Sequence, residues 1–220
     1  MSKTPASSVA ASPTTHTATI LQEAFDSANK ALFQGTLPPC MILVHRKGRA
    51  HGYFWAQQFQ KIGSDDVIDE IALNPDTMSR APREVLSTLV HEMVHLWQFR
   101  WGKPSRSGYH NKEWANKMDD VGLTPSDTGQ PGGKRTGQNM THYIEDGGRY
   151  DRWVTEFLSE DRLFFWASTP ALKGKATKKA KNKIKYTCGP HTAWGKPGLS
   201  IYCKDCEKLM EGEELEDTDD

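Results

Sequence analysis

An α+β fold, with helices packed on a small three-stranded sheet and a small cysteine- and histidine-bearing module behind it, is what this 220-residue sequence predicts. Three observations carry that expectation. Apolar residues recur at helical spacing over 18–33 and again over 82–101. Between those segments lie three short apolar runs, 41–44, 52–55 and 68–73, separated by polar turns and readable as strands. Near the C-terminal end, two pairs of metal-ligating residue types each enclose a two-residue spacer.

Taken in order, the first helix rests on Thr19, Ile20, Leu21, Ala24, Phe25, Ala28, Leu32 and Phe33, and Gly35 with Pro38-Pro39 ends it. Cys40 opens the first strand; far from other sulfurs, it reads as a small buried apolar residue. The third strand ends in Leu73-Asn74-Pro75 and feeds the next helix. It reads as an edge strand, either covered by its own loops or with a free hydrogen-bonding row that an extended peptide can fill. In the helix over 82–101, Pro82 suits the first position and Glu84 complements the positive N-terminus. Val85, Leu86, Leu89, Val90, Met93, Val94 and Trp97 keep its period, and Gly102 and Pro104 stop it. After a Gly/Pro/Ser-rich turn, Trp114, Met118 and Val121 mark one face of a shorter helix. Residues 122–139 hold five glycines and two prolines and read as a long loop able to border a cleft. Tyr143 follows it; packing is its plainer role, donation to a developing oxyanion its sharper one. The aromatic stretch Arg152 to Trp166, with Trp153, Phe157, Leu158, Leu163, Phe164 and Phe165, reads as a final helix or helical pair closing the core.

The helix over 82–101 carries His91-Glu92-Met93-Val94-His95. Residues four apart share a helix face, so both imidazoles can aim at one metal ion, and Glu92 lies about 100° around from His91. On so apolar a helix these ionisable groups need partners or a metal. Zinc needs a third protein ligand. One zinc pattern continues with Gly and then His, but Gln98 and Trp101 occupy those positions, so that pattern is excluded. A hairpin of two helices would bring His110 back beside His91 and His95, with Glu113, one turn on, competing for the place. Three protein ligands leave one position for a water, whose pKa zinc lowers towards neutrality. Glu92 is then the candidate catalytic base, taking that proton and passing it to the leaving amine.

The C-terminal pairs are Cys188 with His191 and Cys203 with Cys206, separated by a short hairpin, as in a zinc ribbon or knuckle pair. So short a segment has too little core to fold unaided, which favours a structural zinc there. Beside the lysine run, Trp194, Tyr186 and Tyr202 offer faces for unpaired bases, although Trp194 packed inside the ribbon is the plainer expectation.

Several separated motifs agree with one family. Leu73-Asn74-Pro75 precedes the helix, Thr88-Leu-Val-His-Glu-Met-Val-His95 lies within it, and His110 is followed by an aromatic at Trp114. Downstream come Gly-Gly-Lys, Thr-Gly-Gln and His-Tyr-Ile around Tyr143. Over roughly 18–207 the chain resembles the SprT-like, or Spartan-like, zinc metalloproteases, in the bacterial and phage form with a C-terminal zinc ribbon. That resemblance implies a compact zincin-like metalloprotease domain with three histidine ligands, a zinc-dependent endopeptidase acting on DNA-associated proteins, and a role in DNA-protein crosslink repair. It equally implies the alternative of a non-proteolytic, nucleic-acid-associated or transcription-elongation-related zinc protein that uses the fold as a scaffold. Bacterial relatives often have cysteine where His191 stands; a set of three cysteines and one histidine still suits structural zinc.

The expected organisation is a disordered tail over 1–17, the metalloprotease domain over 18–168, a lysine-rich linker over 169–185, the ribbon over 186–208 and an acidic tail over 209–220. The net charge of zero hides seven lysines between Lys173 and Lys185 and seven acids between Glu211 and Asp220. No apolar run reaches the length of a membrane span, and the Ser/Thr/Ala/Pro-rich start lacks the apolar stretch of a signal peptide. Four cysteines suit an intracellular, cytoplasmic chain better than a disulfide scaffold. Two zinc ions, one catalytic and one structural, a protein substrate and DNA are the expected cofactors and partners, with no membrane.

Overall fold

The computed structural model describes residues 12–159, 166–168 and 183–213. Leu163 to Phe165, most of the lysine run and the end of the acidic tail lie outside the described residues. The chain divides into two units, Met1–Pro170 and Ala171–Asp220.

In the first unit, α1 spans Pro13–Phe33 and so begins within the expected tail, five residues before the apolar period. Ser12 is its N-cap, accepting from the Thr15 amide, and Pro13 follows at a first-turn position that needs no amide donor. Its buried stripe, Ile20, Leu21, Ala24, Phe25, Ala28, Leu32 and Phe33, faces the core. The side chain of Asn29 then clasps Leu37 through both its amide and its carbonyl, turning the chain into β1 (Cys40–Val44).

β1, β2 (Gly52–Gln60) and β3 (Val67–Leu73) form one sheet in the order β1-β3-β2, with β1 parallel and β2 antiparallel to β3. β3 is therefore central and paired on both sides, which corrects the expectation that it is the open edge; β2 holds that place on the cleft side. The register of β2 slips between Trp55 and Phe59, with Gln57 at φ 53. The Gln57 amide released by this bulge donates to the wholly buried Asp69, 2.8 Å away. Asp69 also accepts two hydrogen bonds from Arg100, tying the end of the next helix to the middle of the sheet.

That helix, α2, spans Pro82–Trp101 and is buried along most of its length. Its residues Leu86, Leu89, Val90, Met93 and Leu96 are at most marginally exposed and form the centre of the core with α1 and the inner sheet face. Each such side chain contributes on the order of 1.5–3 kcal/mol by leaving water. α3 (Lys112–Val121) is capped by Asn111, which accepts from the Trp114 amide. It ends at Gly122, at φ 89, where a Cβ would press within 2.9 Å of the Arg149 and Tyr150 amides. β4 (Leu123–Ser126) and β5 (Thr141–Ile144) pair across the long loop, so the segment read as wholly irregular starts with a strand. α4 (Arg149–Leu158) closes the core with Tyr150, Trp153 and Phe157; its Tyr150 hydroxyl donates to the Arg83 carbonyl in the first turn of α2. The whole is α+β and zincin-like. No helix among the described residues is long and apolar enough to cross a membrane.

In the second unit, β6 (Ile184–Cys188) and β7 (His191–Gly195) make a hairpin through Gly189, at φ 55, with β10 (Glu211–Gly212) added on the other side of β6. β8 (Tyr202–Cys203) and β9 (Lys208–Leu209) make a second, shorter hairpin. Ile184, Tyr186 and Cys188 supply its small interior, and the Tyr186 hydroxyl donates to the Lys196 carbonyl.

Candidate metal and catalytic centre

α2 places His91 and His95 one turn apart on its inner face with Glu92 beside them; His91 and Glu92 are both buried. The third imidazole arrives through the turn between α2 and α3. Gln98 staples that turn by donating to Asn111 and to Glu113, each at 2.8 Å, and the Glu113 carboxylate also accepts from the Lys103 amide at 2.7 Å. These bonds hold the Glu113 carboxyl below its ordinary range and commit it to the turn, so it leaves the contest for the third place to His110. A two-residue β-bridge between His110 and Gly137 fixes His110 from the other side, and the Gly137 carbonyl lies 3.2 Å from its Nδ1.

Ligand atoms of His91, His95 and His110 all lie within 4.8 Å of one another. His95 Nε2 and His110 Nε2 are 3.1 Å apart. Nitrogens on a tetrahedral zinc, with bonds of about 2.0–2.1 Å, stand about 3.3 Å apart, so the donor set fits that ion. Burial pushes His91 well below the ordinary imidazole value and His95 to about 3, with neighbouring rings adding to the effect. It lowers His110 as well. The rings are thus neutral, the form that offers a lone pair to a metal. Trp114, wholly buried, packs against all three rings, with centroids 4.9 Å from His91, 5.4 Å from His95 and 4.4 Å from His110. Its indole nitrogen is buried with no partner among the described residues.

Burial pushes the Glu92 carboxyl up to about 8, with Lys47 pulling the other way. No hydrogen bond engages its oxygens among the described residues, so they stay free to handle a proton. The strand β2 crosses very close by: a Cβ at Gly52 would meet Ala72 O at 2.8 Å, Thr88 Cγ2 at 3.0 Å and Glu92 Oε1 at 3.2 Å. Glycine is what lets the strand lie this near the carboxylate.

All of this opens into a cleft of about 810 Å³. Gly52 to Ala56 form one wall, Pro104 to Tyr109 another, and Asp127 with Gln138 to His142 a third. The Asn74 amide donates to His51 O at 2.8 Å, so alternation along the ladder turns the peptide groups of Gly52 and Phe54 outward, away from β3. Tyr143 is not among the lining residues; it pairs with Thr124 in the β4–β5 ladder. His142, its neighbour, does line the cleft and contacts His91, nitrogen to nitrogen, at 3.2 Å. Local spacing assigns neither His142 nor Gly52 its part at this site. His142 lies 51 positions from its partner, and Gly52 acts by lacking a side chain.

In the second unit, Cys188, His191, Cys203 and Cys206 also bring their ligand atoms within 4.8 Å of one another. Nδ1 of His191 lies 3.3 Å from the Sγ atoms of both Cys203 and Cys206. Its far nitrogen, Nε2, lies 3.8 Å from Asp205 Oδ2, beyond hydrogen-bonding distance. Hydrogen bonding, from Cys188 foremost, draws the Cys203 thiol down to about 7. Thiolate and imidazole donors in this number suit zinc. Trp194 is 64% exposed and sits across the ladder from Lys185, which corrects the expectation that it packs inside; Tyr186 takes the interior place, so only Trp194 and Tyr202 present faces.

The SprT-like family profile matches residues 21–137, just over half of the chain, and the chain belongs to that family. Over 59 residues it is 41% identical to a Salmonella typhimurium protein described as an uncharacterized protein in the mucB 3' region, a match taking in 27% of this chain and 80% of that one. The matched domain is accordingly metallopeptidase-like, and the chain's His and Cys/His clusters are of the kind that hold zinc.

Proposed function

We propose that this member of the SprT-like family is a zinc-dependent endopeptidase whose catalytic base is Glu92. The observation that carries the reading is the convergence of three neutral imidazoles beside a buried carboxyl group that has no hydrogen bond among the described residues, at the floor of an open cleft. His91, His95 and His110 hold the catalytic ion; Cys188, His191, Cys203 and Cys206 hold a structural one. When bound, the catalytic zinc supplies Lewis-acid polarisation of the scissile carbonyl and acidifies water. The outward peptide groups of Gly52 and Phe54 on β2 offer an extended substrate a strand to pair with, which orients the scissile bond across the histidines. Glu92 takes a proton from the attacking water on one Oε and delivers it to the leaving amine. Substituting Glu92→Gln keeps size and polarity but removes the base. It should lower peptide cleavage by roughly 10²–10⁴-fold with zinc content unchanged. Undiminished cleavage by that variant contradicts the mechanism. The alternative, a scaffold without proteolysis, gives this carboxylate nothing to do.

The substrates in this reading are proteins associated with DNA. Support comes from the exposed Trp194 beside Lys185, an aromatic face next to a cation on which an unpaired base can stack. Binding of single-stranded DNA should fall with added salt and weaken on Trp194→Ala by about 1–3 kcal/mol. An unchanged affinity and salt slope removes the second unit as the nucleic-acid module.

A further inference from the structure

His142 is not one of the three converging ligands, yet it joins one of them to the backbone of α2. Its Nδ1 lies 3.2 Å from His91 Nδ1, and its Nε2 lies 2.8 Å from Ser87 Oγ. The Ser87 hydroxyl in turn lies 2.9 Å from the carbonyl of Glu84. We infer that this chain fixes the tautomer of His91, making His142 a positioning residue for the metal centre; the inference rests on the reading of His91, His95 and His110 as metal ligands.

Each link has one proton to share, so the directions are coupled. If Ser87 donates to the Glu84 carbonyl, its oxygen accepts from His142 Nε2–H. The lone pair of His142 Nδ1 then accepts from His91 Nδ1–H, and His91 Nε2 is left bare. Should Ser87 donate to His142 instead, its bond to the Glu84 carbonyl is lost and the two imidazole bonds reverse. The proton of His91 then sits on Nε2, and no lone pair remains for a metal. A doubly protonated His142 has the same consequence, because its Nδ1–H needs the His91 Nδ1 lone pair. Only the first arrangement is compatible with metal binding, and the helix carbonyl of Glu84 is the acceptor that selects it.

His110 is held differently. It meets a backbone carbonyl, that of Gly137, which can only accept, so its Nδ1 must donate and its Nε2 is free. His91 depends on a side chain from β5, five residues beyond the end of the family match. A ligating histidine commonly donates its second N–H to a carboxylate, carbonyl or water. Here an imidazole takes that part, and the serine at its other end biases the direction of the chain.

The test uses the whole chain with ¹⁵N-labelled histidine, metal-free and zinc-loaded. The expected result is His91 protonated on Nδ1 in both states. His142→Phe, which fills the space without an acceptor, should let the His91 proton move towards Nε2 in the metal-free chain. It should also weaken zinc binding at the three histidines about 10–100-fold in chelator competition. His142→Asn, which returns an acceptor close to the Nδ1 position, should recover part of the affinity, and Ser87→Ala should lose less than His142→Phe. A His91 tautomer and zinc affinity unchanged in His142→Phe, with the imidazole signals still dispersed, overturns the inference. If His142→Phe does not fold, the same two readings on His142→Asn and Ser87→Ala decide it; neither moving overturns it. Wild-type chain that takes no zinc at these histidines defeats the metal reading instead, and the metal-free tautomers of wild type and variants still decide the role of His142.

Discussion

The two ligand clusters of this chain are built in opposite ways. The three histidines come from α2 and the turn before α3, and are braced by Trp114, Gln98 and the Gly137 loop around a large apolar core. The Cys/His cluster comes from two tight hairpins within a few residues of each ligand, over an interior of Ile184, Tyr186 and Cys188. In the first, packing positions the ligands before any ion arrives. The second has little but its ligands to hold it. The difference teaches which region depends on metal for its fold and which for its chemistry.

Removing metal should therefore separate the two units most sharply. Strong chelation is expected to unfold the second unit, since structural zinc in such small modules is worth about 10–16 kcal/mol. The first unit should keep its α2 and sheet signals in amide-exchange or near-ultraviolet spectra. Both units melting together would erase the contrast.

A smaller effect probes packing. Trp114→Ala leaves a hole under all three imidazoles and should cost the first unit about 3–5 kcal/mol. Denaturant titration should show that loss with the second unit unaltered. A change below about 1 kcal/mol would mean that the tryptophan braces little.

Smaller still in stability, but not in activity, is Gly52→Ala. The added methyl would press on Thr88 and the Glu92 carboxylate, displacing the base or shifting β2 outward. Cleavage should fall by up to about 10²-fold, the order associated with a misplacement near 1 Å, with zinc retained. Equal cleavage by this variant would show that β2 yields without moving Glu92.

Much of this contrast can be read in the residues, and the failures have physical causes. The helix over 82–101 is read to the residue, because a strong apolar period, Pro82 and Gly102 agree. The start of α1 is missed because its first turns, Thr14, Thr15 and His16, are polar; the Ser12-Pro13 cap was the signal that remained. The far half of β2 is missed because Gln57, Gln58 and Gln60 are exposed and the bulge breaks the alternation. Strand order is a tertiary outcome: a parallel β1 beside β3 leaves β2 as the edge, and nothing local in Leu73-Asn74-Pro75 reveals that. Trp194 and Tyr186 alternate on opposite faces of one hairpin, and composition does not say which face is inside.

The most direct measurement is the zinc content of the chain beside His110→Ala, by elemental analysis after gel filtration. The account predicts two zinc ions per chain in the wild type and one in the variant. The remaining ion should reside on the cysteines, as thiol protection from alkylation reports. Retention of both ions by His110→Ala would contradict the three-histidine centre.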